Sequence, residues 1–153
     1  MRRGTIMVVE DDRPSRNFLV RVLEEEGHEV IAAKDGMQAL ERLQSRPDRP
    51  EVILLDLIMP DIDGYEICKR IKSNPATQTI PVIFISSMNS VDDEVRGFDA
   101  GAVDYIHKPI SIPLLSRRVQ THLSLVQTQE LEKSYEQSIF MLGEAGHYND
   151  TDT

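Results

Sequence analysis

A chain of 153 residues with 40% hydrophobic content is long enough for one domain with its own core and some residues to spare. Its 17 Lys and Arg against 26 Asp and Glu leave a net charge of -9, which works against direct binding to nucleic acid or to an anionic membrane. The single cysteine, Cys68, excludes an internal disulfide and suits a reducing cytoplasm, and no apolar run is long enough for a signal-peptide core or a membrane span.

The first predicted element is the strand TIMVV, which ends in Glu10, Asp11 and Asp12; a helix from Pro14 to Glu26 follows, with Asp12 read as its N-cap and Gly27 as its stop. HEVIAA is the second strand, and Asp35-Gly36 opens a helix from Gly36 to Ser45. EVILL is the third, running into Asp56. Asp61 and Asp63 in PDIDG read as turn residues before a helix from Gly64 to Ser73, which Asn74-Pro75 closes and in which Cys68 is a buried thiol. IPVIFI is the fourth strand, with a helix from Val91 to Ala100 and then Gly101; VDYIH is the fifth, with a helix from about Ile112. Strands alternating with helices predict a flavodoxin-like (βα)5 α/β fold, a doubly wound parallel sheet in the order 2-1-3-4-5.

In such a sheet, sites form beyond the carboxyl ends of the strands where the strand order reverses, here between strands one and three. That brings Glu10, Asp11 and Asp12 toward Asp56. Carboxylates this close repel one another, so the cluster either holds protons or binds a cation. All-oxygen donors without His or Cys favour Mg²⁺ (or Mn²⁺), which takes one or two carboxylates plus a phosphate oxygen and leaves another carboxylate free as a nucleophile. Ser86 ends strand four and Lys108 follows strand five, supplying a hydroxyl and an ammonium for phosphoryl oxygens.

The motifs VVEDD, LLDLIMPDIDG, FISS and DYIHKP, in this order between about Thr5 and Gln120, resemble the receiver domain of two-component response regulators. The resemblance implies that residues 1-120 form a receiver and that Asp56 takes a phosphoryl group from a sensor histidine kinase or phosphotransfer protein. It implies a cation held by Glu10, Asp11, Asp56 and the backbone carbonyl of Ile58, with Ser86 and Lys108 meeting the phosphoryl group. Tyr105 matches an aromatic switch that turns inward, and Lys108-Pro109 a cis bond that aims the lysine; X-Pro is the one kind of bond for which cis is cheap. Kinase choice would then rest on first-helix residues such as Arg16, Asn17 and Val20. Family members often carry polar residues where this chain has Ile58 and Met88, so slow loss of the phosphoryl group is expected. A haloacid-dehalogenase-type phosphatase would need an acid at Ile58, and a flavodoxin-like cofactor module a glycine-rich loop in place of EDDRPS.

From Ile112 the helical pattern continues far beyond what a fifth helix needs. Leu115, Val119, Leu123 and Val126 form one apolar stripe, and Leu131, Tyr135, Ile139 and Leu142 a second. With no Gly or Pro between Leu114 and Leu142, one extended C-terminal helix is predicted, its 121-145 portion a linker that pairs two copies as a coiled-coil homodimer and breaks at Gly143. The tail 146-153, with the helix end from Ile139, resembles the lead-in to HD-GYP domains, phosphodiesterases of cyclic di-GMP. That family's catalytic residues have no counterpart in this chain, and His147 reads as a solvated tail residue. The chain itself is expected to be a switch without turnover, in the cytoplasm.

Overall fold

The computed structural model of the chain describes residues 2–45 and 49–146, so His147 and the remaining tail expectations lie outside the described residues. Five strands, β1 (Thr5–Val9), β2 (Glu29–Ala33), β3 (Val52–Asp56), β4 (Val82–Ser86) and β5 (Asp104–His107), alternate with α1 (Arg13–Glu25), α2 (Gly36–Ser45), α3 (Gly64–Ser73), α4 (Val91–Asp99) and α5 (Ile112–Gly146). All pairings are parallel and the order is β2-β1-β3-β4-β5, as expected for a flavodoxin-like sheet.

Period-two alternation splits each strand between two cores. On one face Met7, Val9, Ile53, Leu55 and Phe84 meet Leu43, Ile67, Cys68 and Ile71 from α2 and α3. On the other Ile6, Val8, Leu54, Ile83 and Ile85 meet Leu19 and Leu23 of α1 and Leu115, Val119 and Leu123 of α5. Both faces being covered, β3 and β4 are buried along their whole length, as continuous aliphatic runs require. Each fully buried aliphatic side chain contributes roughly 1.5–3 kcal/mol.

Local chemistry sets the boundaries. Asp12 caps α1, its carboxylate accepting from Ser15 N–H at 3.0 Å, and Asp63 caps α3 by accepting from Glu66 N–H at 2.9 Å. Ser90 and Asp93 form a reciprocal capping box at the start of α4. Gly27 and Gly101, the two stops after α1 and α4, have φ of 95° and 110°, conformations in which a side chain would be strained. At the base of the sheet His28 is buried. Its Nδ1 accepts from Gly4 N–H at 3.1 Å, and burial holds the imidazole below its ordinary pKa, against the raising effect of Glu26.

The chain divides into two compact units, Met1–Leu123 and Ser124–Thr153. Two expectations about the long helix need correction. Leu123, expected in the linker, is fully buried in the core of the first unit together with Leu115 and Val119, so most of the first stripe faces the chain's own domain. The helix also continues through Gly143 to Gly146, because one interior glycine costs only about 1 kcal/mol relative to alanine. Within the second unit Leu125, Leu131 and Tyr135 are exposed. No helix among the described residues is long and apolar enough to cross a membrane.

Candidate functional site

The register of the sheet builds the site. Val9 pairs with Leu55, so the next residues, Glu10 and Asp56, lie side by side at the carboxyl edge. Ser86 pairs with His107, and Lys108 N–H donates to the Ser86 carbonyl at 2.9 Å, which carries Lys108 one step beyond β5 into the same edge. The Lys108-Pro109 peptide bond is cis.

Glu10, Asp11 and Asp56 can each offer a carboxylate oxygen within 4.8 Å of the others. Glu10 and Asp56 are buried, and Asp11 is exposed. The Lys108 ammonium lies between the buried pair, 2.8 Å from Glu10 Oε1 and 3.2 Å from Asp56 Oδ2. Burial raises Glu10 above its ordinary range, and the facing Asp56 adds to this, against the pull of Lys108. For Lys108 burial alone would lower the pKa, but its two carboxylate partners outweigh that and raise it. One ammonium thus leaves a cluster of three carboxylates short of positive charge. The donor set fits a hard divalent cation: every donor is oxygen, and the exposure of Asp11 leaves room for the waters that Mg²⁺ retains. Asp12 stands apart from the set as the cap of α1.

Neighbouring groups are ordered around this cluster. Ser86 is fully buried and its Oγ accepts from Met88 N–H at 3.1 Å. The Tyr105 ring already lies inside, 8% exposed, with its hydroxyl donating to the Met88 carbonyl at 2.6 Å. Burial pushes its pKa up to about 12. Phe84 packs edge-on between Tyr105 and Tyr65, and the Tyr65 hydroxyl donates to the Asp93 carbonyl in α4 at 3.2 Å. The loop after Asp56 closes tightly: Ile58 N–H donates to Asp56 Oδ1 at 3.1 Å and Gly64 N–H to the Leu57 carbonyl at 2.8 Å. A Cβ on Gly64 would stand 2.6 Å from the Asp56 carbonyl oxygen, so no other residue fits without moving the loop.

Some contacts went unread in the sequence. Arg16, expected as a partner-facing residue, donates from Nη1 to the backbone carbonyls of Glu10 at 2.8 Å and Asp11 at 3.2 Å, bracing the acidic loop. A basic residue one turn into a helix that follows an acidic loop is a usable signal for this. Asp61, expected as a turn residue, also bonds to the start of α2. Beside Lys108, Pro14, Ser15, Phe18, Pro109 and Ile110 line a mainly apolar groove of about 320 Å³.

Residues 6–120 match the family model of the response regulator receiver domain. A Vibrio cholerae protein named probable cyclic di-GMP phosphodiesterase is 42% identical over 127 residues, 83% of this chain but 28% of that protein. Response regulator MprA of Mycobacterium bovis is 36% identical over 129 residues, covering 84% of this chain and 54% of the regulator. The chain thus spans about half, or less, of the length of these curated relatives. Among solved structures, the signal receiver domain of a signal transduction histidine kinase from Syntrophus aciditrophicus matches with a TM-score of 0.73 at 36% identity, over 79% of this chain and 90% of that one.

Proposed function

The chain belongs to the response regulator receiver family of two-component signalling, and from that premise we propose that Asp56 is its phosphoacceptor. The observation that carries this is a buried carboxylate at the end of β3, 3.2 Å from the Lys108 ammonium and beside two further carboxylates. An Asp56 oxygen attacks the phosphorus of a phosphohistidine on a histidine kinase or phosphotransfer protein; the P–N bond breaks as the P–O bond forms, and the electron pair leaves with the imidazole. Lys108 faces the phosphoryl oxygens, and the Ser86 hydroxyl turns from Met88 N–H to meet them. A Mg²⁺ ion held by Glu10, Asp11, Asp56 and the Ile58 carbonyl would neutralise phosphoryl charge. The groove beside Lys108 gives the donor protein an apolar surface next to the reacting atoms. When Ser86 turns, the contact that Tyr105 makes through Met88 changes, and the Tyr105 ring, which lies beside Gly97, passes the event to α4.

Intact mass after incubation with acetyl phosphate tests this reading. One phosphate adduct per chain is expected with Mg²⁺, and none with EDTA or in Asp56→Asn. A full-yield adduct in Asp56→Asn, or none in the folded wild type, would rule it out.

For output, the exposed Leu131 and Tyr135 support a homodimer through the second unit, with the signal carried along α5 in the cytoplasm. Sedimentation equilibrium is expected to give the mass of a dimer for the wild type and of a monomer for Leu131→Asp with Tyr135→Asp; an unchanged mass would exclude this interface. The likeness of residues 139-153 to the HD-GYP lead-in, together with the Vibrio cholerae relative, supports cyclic di-GMP hydrolysis as the controlled output. That claim concerns the full-length protein, and an assay of cyclic di-GMP turnover with and without acetyl phosphate decides it.

A further inference from the structure

α2 begins with two separate caps. The local one is Asp35, whose Oδ1 accepts from Gln38 N–H at 2.8 Å. The other comes from far along the chain: Asp61, on the loop after Asp56, accepts from Gly36 N–H at 3.2 Å through Oδ1 and from Met37 N–H at 2.9 Å through Oδ2. These two amides open the helix and have no partner within it. Both oxygens of Asp61 are thereby committed, and although burial alone would raise its pKa, the N–H groups of Met37, Ile62 and Gly36 hold it below the ordinary value.

This second cap bears on the site because of what else the loop carries. Its base is fixed by Gly64 N–H on the Leu57 carbonyl and by Ile58 N–H on Asp56 Oδ1. Its outer part is tied to α2 through Asp61. Between those ties lies the Ile58 main chain. We propose that Asp61 is a positioning residue for the cation, tying the β3–α3 loop to the first turn of α2 and so holding the Ile58 carbonyl in place. This rests on the reading that Glu10, Asp11, Asp56 and the Ile58 carbonyl hold a divalent cation. A residue that orders a ligand without touching the metal typically changes metal affinity about 10-fold to 100-fold when removed. Linkage makes the effect reciprocal, so the cation steadies the start of α2 by the amount that Asp61 improves cation binding.

The experiment titrates Mg²⁺ into the full chain by calorimetry for the wild type, Asp61→Ala, Asp61→Asn and Asp35→Ala, and follows exchange of the Gly36 and Met37 amides with and without Mg²⁺. Asp35→Ala weakens the same helix end without touching the loop, so it isolates mere loss of helix stability. Expected results are a Mg²⁺ affinity lowered about 10-fold in Asp61→Ala and less in Asp61→Asn, which keeps one acceptor oxygen. Asp35→Ala is expected to change it less than about twofold, and Mg²⁺ to slow exchange at Gly36 and Met37 in the wild type but not in Asp61→Ala. Equal losses in Asp61→Ala and Asp35→Ala, or unchanged affinity in Asp61→Ala, would overturn the proposal while leaving the cation site standing. Absence of Mg²⁺ binding in the wild type would overturn the cation reading and this inference together.

Discussion

Lys108→Ala is expected to destabilise the fold by about 3 kcal/mol in the absence of divalent cations, the low end of what removing one partner of a buried ion pair costs. The low end applies because the lysine side chain is 26% exposed, whereas Glu10 and Asp56 are only 2% and 8% exposed. Without the ammonium, two buried carboxylates face each other uncompensated, and burial already raises the Glu10 pKa with the lysine present. Mg²⁺ is therefore expected to restore more stability to Lys108→Ala than it adds to the wild type. Asp56→Asn changes the balance the opposite way by removing a like charge, so in EDTA it is expected to match or exceed the wild type in stability. Urea denaturation of the three proteins, in EDTA and in Mg²⁺, reads both signs; equal losses in the two variants would refute a cluster short of positive charge. Phosphate uptake in Lys108→Ala is expected to slow about a hundredfold or more, the usual cost of losing a donor aimed at developing charge.

The order of the sheet and the convergence of Glu10, Asp56, Ser86 and Lys108 were legible because both depend on short-range patterns. Alternation of strands with helices sets the crossovers, and a parallel register then brings strand ends together whatever their distance in sequence. Asp61 was not legible, because its partners Gly36 and Met37 lie on another element and turn propensity accounts for an aspartate in PDIDG equally well. The stripe Leu115, Val119 and Leu123 shows a different limit. A helical period reports an apolar face but not what covers it, and here the chain's own sheet does. Gly143 was overread for the opposite reason, since a local propensity of about 1 kcal/mol does not end a helix by itself.

If Asp56 carries the phosphoryl group as proposed, the lifetime of that state is expected to depend on whether a side chain at the rim of the site can orient water toward the phosphorus. Ile58 is 57% exposed at that rim and has no polar atom to offer. Met88 packs against the core, and its backbone is engaged at both ends, its N–H by Ser86 Oγ and its carbonyl by the Tyr105 hydroxyl. Those are main-chain contacts, so a new side chain at 88 leaves the link between Ser86 and Tyr105 intact. Ile58→Asn with Met88→Glu would therefore supply an amide and a carboxylate for the water without disturbing that link. Dephosphorylation is expected to quicken by about tenfold or more, short of the roughly hundredfold at the lower end of what a positioned general acid or base contributes, because the new groups orient the water without being placed as its base. Decay of the phosphoprotein mass signal after removal of acetyl phosphate measures this. An unchanged half-life would mean that water is already oriented by the backbone or by Lys108, and that the apolar pair sets the character of the rim without setting the clock.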